Sequence, residues 1–226
     1  MLKSIASILI SKLHQYSERL WARYDSFWIH KDDKVLFIDL GANLGQGFTW
    51  FKGYFYQPNI FFELFEPNPF CFQELMKLSD VILGNILVHN LGVGVSDGSF
   101  KFYGLTDSEG GKFSEGGSFV QEHNSKWYES VHSEAIDLKV INFGEYVTQK
   151  KKVFDKVIVK MDIEGAELEL LEHMIANNVI QHIDILYIEF HSQYQKLDQS
   201  KDTRKREQDL KTSLSKIPKI KVRFWH

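Results

Sequence analysis

The sequence predicts a doubly wound, mostly parallel α/β sheet with an added antiparallel hairpin and lid insert. Three observations predict it. First, Val35 to Leu40 is apolar on both faces apart from Asp39 and runs at once into Gly41, Ala42, Asn43, Leu44, Gly45, Gln46 and Gly47, as a buried parallel strand does when it feeds a tight turn. Second, further apolar runs alternate with segments of helical periodicity, without a repeat or an obvious linker, which is the pattern of one sheet covered on both faces. Third, Ser99 to Tyr103 and Ala135 to Val140 are short alternating segments of the antiparallel kind.

At 226 residues the chain is large enough for one well-buried domain and not comfortably for two. We therefore expect a single domain over 1–226, with a helical cap over 1–30 and an insert over 106–134. Basic and acidic residues number 27 and 30, so no global charge calls for nucleic acid or an acidic membrane. The single cysteine, Cys71, excludes an internal disulfide and a cysteine-built zinc site, and fits a small filler behind the loop that follows the second strand. Its scarcity is compatible with a cytoplasmic setting. No run is long enough to span a membrane, and the apolar stretch Ile5 to Ile10 makes a poor signal peptide. Leu2, Ile5, Leu9, Leu13, Leu20, Trp21 and Tyr24 fall at helical spacings over 2–25, which suits a cap packed on the core or, alternatively, a membrane-surface helix.

The first strand, its glycine turn and a helix from Phe48 to Tyr56 are followed by a second strand, Asn59 to Phe65, closed by Glu66, Pro67, Asn68 and Pro69. Phe70 to Leu78 reads as a helix and Val81 to Val88 as a third strand, running on into Gly92, Val93, Gly94 and Val95. Residues 106–134, rich in Gly, Ser, Glu and His, read as a substrate-facing lid, with a disordered insert as the alternative. Asn142 with Glu145 makes a capping box for a helix through Val147. Lys152 to Met161 is a strand, and Asp162 to Glu167 opens a helix whose buried face holds Leu168, Leu170, Leu171, Met174 and Ile175. Ile183 to Phe190 is the next strand, a basic helix covers Ser200 to Ser215, and Ile220 to Trp225 is the last strand.

Glycine spacing narrows the ligand. A dinucleotide fingerprint is G-x-G-x-x-G, whereas here the order is G-x-x-x-G-x-G with Asp39 two residues ahead. An acid at that place repels pyrophosphate and suits a ligand bearing an ammonium group and no phosphate, such as S-adenosylmethionine. Glu66, about twenty residues past Gly45, is where a second-strand carboxylate accepts both ribose hydroxyls. Gly94 and Val95 are expected to flank adenine, because glycines beside a strand end allow close approach.

Asp162 stands at the carboxyl end of a central strand, where ligands of open α/β sheets bind. Glu189 and His191 end the next strand, and the three together are candidates for proton abstraction and substrate orientation, histidine titrating near neutrality. Glu164 and Glu167 lie in a first helical turn, where the dipole favours acids whatever their role. These carboxylates have the chemistry to hold magnesium or calcium, although no spacing demands a metal. His123 and His132 fall in the insert, and Trp127 and Tyr128 there could stack on a sugar ring. The basic residues from Lys201 to Arg223 form a solvated helix face rather than a nucleic-acid patch.

Three stretches, Phe37-Ile-Asp-Leu-Gly-Ala-Asn-Leu-Gly45, Phe65-Glu-Pro-Asn-Pro69 and Lys160-Met-Asp-Ile-Glu-Gly-Ala-Glu167, give the chain a resemblance to the FkbM methyltransferases, a branch of the S-adenosylmethionine-dependent class I enzymes with a Rossmann-like sheet. The resemblance covers roughly 33–192. It implies O-methyl transfer to a sugar or glycan hydroxyl, or to a natural-product hydroxyl. The cofactor set expected on this reading is Asp39, Gly41, Asn43 and Gly45 at the methionine end, Glu66 and Asn68 at the ribose, Gly94 and Val95 at the adenine, with Asp162 between cofactor and acceptor. The absence of an Asn/Asp-Pro-Pro-Tyr/Phe tetrapeptide argues against a nucleobase amine. A non-catalytic binding module that keeps the pocket is the rival from another class, and the chain could form a homo-oligomer.

Overall fold

The structure is a computed structural model that describes residues 2–81, 86–105, 116–121, 123, 135–194 and 197–225. Its centre is a six-stranded sheet in the order β3-β2-β1-β7-β8-β9, formed by Ile86–His89, Ile60–Phe65, Val35–Leu40, Lys156–Met161, Ile185–Ile188 and Lys221–Phe224. Every neighbouring pair is parallel. The strand β1 is buried along its whole length, and its side chains alternate between two cores. Leu36, Ile38 and Leu40 join Val157, Val159, Phe143, Val147, Leu170, Leu171, Leu210 and Leu214 on one face. Val35 and Phe37 join Phe48, Phe51, Phe62, Leu75 and Ala22 on the other. Two covered faces explain why the strand reads as a continuous apolar run.

Helices α4 (Phe143–Lys151), α5 (Glu167–Ala176) and α6 (Leu197–Ser215) supply the first face; α1 (Leu2–Phe27), α2 (Gln46–Lys52) and α3 (Pro69–Val81) supply the second. The chain leaves β1 for β2 in one direction and later returns to place β7 on its other side. The order therefore reverses between β1 and β7, and a crevice opens at the carboxyl ends of these strands.

A second, three-stranded sheet in the order β4-β6-β5 contains Gly92–Gly94, Ile136–Asn142 and Gly98–Phe102. The expected antiparallel pair is β5 with β6, in register at Phe100 and Leu138, and β4 adds to it in parallel. The third main strand is shorter than expected. Val81 belongs to the end of α3 and the strand begins at Ile86, because an apolar run alone does not separate a buried helix end from a strand.

The leading helix docks by its carboxyl-terminal part, with one departure from the apolar-stripe reading. Leu20 and Tyr24 are 48% and 53% exposed, whereas Trp21 and Ala22 face the core. Asp25 reaches the sheet, where it is 1% exposed and accepts from Tyr187 Oη at 2.8 Å and from Arg223 Nε and Nη2 at 3.0 and 2.9 Å. The buried partner on this face is an acid, and periodicity of apolar residues does not see it. Among the described residues no helix is long and apolar enough to cross a membrane.

Half of the capping box forms: Asn142 Oδ1 accepts from Glu145 N at 3.2 Å and its amide donates to Glu145 Oε1 at 3.0 Å, but the Asn142 backbone N–H goes to Asp97 Oδ1 at 2.8 Å instead of to Glu145. Asn142→Ala is expected to cost about 1 kcal/mol. In a domain of this size that lowers Tm by about 2–4 °C, readable by thermal melting.

Candidate active site

A cavity of about 490 Å³ occupies the crevice at the β1–β7 switch point. Its size suits a nucleoside-sized ligand with an acceptor beside it. The loop after β1 forms one wall. Gly41, Asn43 and Gly45 have positive φ values of 74°, 46° and 89°, and Gly41 admits nothing larger, because a Cβ there would lie 1.9 Å from the Asp162 carbonyl oxygen. The turn after β1 thus packs directly against the turn after β7. Asparagine is among the few residues that tolerate the left-handed region, which suits it to position 43.

The loop is held by Glu66. Its Oε2 accepts from Asn43 N at 2.7 Å and its Oε1 from Asn68 N at 2.8 Å, with the side chain buried. Burial pushes the carboxyl up to about 7, against those two backbone donors and Lys160, while Asp39 adds to the rise. Each oxygen keeps a second lone pair for a ligand hydroxyl.

Under this loop Lys160, from β7, is almost wholly buried. Its Nζ lies 3.1 Å from Asp39 Oδ1, 3.1 Å from Asp162 Oδ2 and 3.2 Å from the Gly41 carbonyl oxygen. Burial alone would lower the ammonium, but Asp162 and Asp39 more than reverse that, so it stays charged. Asp39 is fully buried and makes the Lys160 contact as a charge pair without a well-aligned hydrogen bond. Burial pushes its carboxyl up and Lys160 opposes the rise.

The far end of the cavity holds the acidic cluster. Asp162 Oδ1, Glu164 Oε1 and Glu189 Oε1 lie 3.5, 3.7 and 3.9 Å from His191 Nε2. Behind the ring, Nδ1 meets Glu167 Oε1 at 2.9 Å. Glu167 is fully buried, and it also accepts from Ile163 N at 3.0 Å and from Gly165 N at 3.1–3.2 Å. It therefore fixes both the turn and the histidine. Burial opposes the charged imidazole, but Glu167, Glu164 and Asp162 raise it to about 10. Burial together with Asp162 pushes Glu189 up to about 7.

Glu164 itself has φ +51°, a conformation stabilised from the insert. Ser118 Oγ donates to its carbonyl at 2.5 Å, and His123 Nε2 lies 3.0 Å from its Oε2. Gly117 and Phe119, from the described part of the insert, line the cavity. His132, Trp127 and Tyr128 lie outside the described residues. Trp50 and Trp225 also line the cavity and pair edge to face at 4.6 Å.

Of the residues singled out in the sequence, Gly41, Asn43, Glu66, Asn68, Asp162, Glu189 and His191 line the cavity together. Asp39 sits beneath it. Gly45 turns away, its Cα hydrogen side facing Leu75 and Leu78. Gly94 and Val95 are not among the lining residues; Leu91, Gly92 and Val93 take that place. The reason is that Gly92–Gly94 leaves the main sheet to pair with β6, which moves the wall two residues toward the amino end. A Cβ at Gly92 would lie 2.5 Å from the Phe119 ring, so a side chain there requires that ring to shift. Lys160 was visible within its motif but carried no signal of its role, because only the parallel pairing of β1 with β7 places it beside Asp39.

A parallel sheet reversing at β1, a glycine turn over a buried acid, and a carboxylate closing β2 define the architecture of the class I methyltransferases. The chain belongs to the Methyltransferase FkbM domain family, whose model matches residues 39–211. It is 28% identical over 164 residues to the hexuronic acid methyltransferase AglP of Haloferax volcanii, covering 72% of this chain and 58% of that protein. The chain thus spans less than two thirds of that relative's length. A crystal structure of methyltransferase FkbM from Methylobacillus flagellatus KT superposes with a TM-score of 0.38 at 18% identity, over 69% of this chain and 32% of the other. At that score the likeness adds nothing to the family match.

Proposed function

We propose that this protein is an S-adenosylmethionine-dependent O-methyltransferase acting on a sugar hydroxyl, with acidic glycans as the first acceptors to try. The observation that carries the reading is that one cavity joins the Glu66 loop to the Asp162, Glu189 and His191 cluster. A nucleoside-binding wall and a proton-accepting wall then face each other. The similarity to a hexuronic acid methyltransferase supports the choice of acceptor class.

The residues present fit the cofactor. Glu66 is a buried carboxylate with lone pairs to spare, and the Gly41 position brings backbone to the cavity where a side chain has no room. Glu66 and Asn68 would hold the ribose, Leu91, Gly92 and Val93 the adenine side, and Gly41 to Asn43 the methionine end. S-adenosylmethionine, when bound, supplies an electrophilic methyl group. Asp162 and Glu189 offer carboxylate oxygens to the acceptor hydroxyl and receive its proton as the oxygen gains the methyl group. Glu167 holds His191 in place behind them. Trp50 and Trp225 give an apolar surface on which a pyranose face can rest.

The test is incubation of the purified chain with labelled S-adenosylmethionine and a panel of uronic-acid-bearing glycans, neutral glycans and hydroxylated natural products. Label in a glycan, located by mass spectrometry as a methyl on oxygen, is the expected result. Folded protein that binds neither S-adenosylmethionine nor S-adenosylhomocysteine by calorimetry overturns the reading and favours a module with another ligand.

A further inference from the structure

We propose that Asp162, Glu164 and His191 form a divalent-metal site at the acceptor end of the cavity. The ligating atoms of the three lie within 4.8 Å of one another. What distinguishes the group from a chance acidic cluster is how each side chain is held from outside it. Asp162 has Oδ2 on Lys160 and turns Oδ1 toward His191 Nε2. Glu164 has Oε2 on His123 and turns Oε1 to the same nitrogen. His191, only 4% exposed, has Nδ1 on the buried Glu167 carboxylate, which aims Nε2 at those two oxygens, and an ion bound there takes the place of the Nε2 proton. Three separate partners therefore converge three ligand atoms on one point. A carboxylate that takes the rear N–H of a buried imidazole is the support that metal-bound histidines use.

Distances and ligand types narrow the ion. Adjacent ligands of an octahedral ion are about 1.4 bond lengths apart, roughly 2.9 Å for magnesium and roughly 3.3–3.7 Å for calcium. The separations of 3.5 and 3.7 Å at Nε2 fall in the calcium range, so a smaller ion needs the two carboxylates to draw in toward Nε2. An imidazole among carboxylates moves the preference from calcium toward a transition ion that accepts oxygen, which is manganese(II). Glu189, whose Oε1 is 3.9 Å from Nε2, stands beside the site and leaves open positions for an acceptor oxygen. The role rests on the methyltransferase reading: an acceptor hydroxyl bound to the ion becomes more acidic and gives its proton to a neighbouring carboxylate. The binding site itself stands on the geometry alone.

The experiment titrates the chelator-treated, desalted full chain with manganese(II) chloride, without cofactor or acceptor, followed by loss of the free-ion electron paramagnetic resonance signal. One ion per chain is expected, weakened at least tenfold by Glu164→Gln and by His191→Gln and unchanged by Glu169→Gln, which is exposed on α5. Glu164 is partly exposed, so its variant keeps the test decisive should His191→Gln fail to fold. Equal binding by wild type and Glu164→Gln overturns the site. Methyl transfer undiminished by chelator overturns the catalytic role. Manganese binding without any S-adenosylhomocysteine binding keeps the site and overturns the methyltransferase reading instead.

Discussion

Lys160→Met is expected to destabilise the protein by about 3–5 kcal/mol, because it leaves a fully buried carboxylate without its cation. Asp39 is 0% exposed and has the Lys160 ammonium at 3.1 Å, while Asp162, with a quarter of its side chain exposed, can turn to water. Most of the loss therefore falls on Asp39. In a domain of this size it corresponds to a Tm lower by roughly 6–20 °C. The double variant Asp39→Asn/Lys160→Met removes both charges and is expected to recover much of that loss, so that a double-mutant cycle by thermal or urea unfolding shows coupling well above 1 kcal/mol. Additive single effects would mean that Lys160 acts by packing and not by charge.

Glu66→Gln is expected to weaken S-adenosylhomocysteine binding by roughly 10- to 150-fold, as loss of a charged hydrogen-bonding partner costs about 1.5–3 kcal/mol. The wild-type protein should also show a pH dependence that the variant lacks. Glu66 has a folded pKa of about 7, above its ordinary 4.5, chiefly through burial. The folded state thus holds the extra proton between those values, so this group's stabilising share is fully present below about 4.5 and is lost as pH rises to about 7. Binding runs the other way: ribose hydroxyls donate to the ionised carboxylate, so affinity falls as pH drops from 8 to 6. Lys160 and Asp39 are the charged groups facing Glu66, and both remain in Glu66→Gln. Calorimetry on the two proteins across that range isolates the Glu66 contribution, and parallel pH profiles would remove Glu66 from the ribose site.

Much of the fold was legible because its signals are local. A strand buried on both faces must be apolar at every position, and Val35–Leu40 and Lys156–Met161 show nearly that. A glycine turn and a capping box are written in neighbouring residues. The same locality made Asp39, Glu66, Asp162, Glu189 and His191 readable as strand-end residues, since strand ends in such sheets meet at one edge.

Residue order by itself determined the alternation of strands and helices, the reversal that places the crevice, the family, and the acids that close its strands. Tertiary structure alone decided which of those acids face the cavity and which lie beneath it. Asp39 sank below the loop because the β1–β7 pairing puts Lys160 beside it. Gly92 and Val93 line the cavity in place of Gly94 and Val95 because β4 pairs with β6, a partner more than forty residues away. Glu167 became the support of His191, and His123 and Ser118 came to hold Glu164, through contacts spanning 24 to 46 residues. Side-chain charge and hydrogen bonding depend on neighbours in space, and periodicity along the chain carries no record of them.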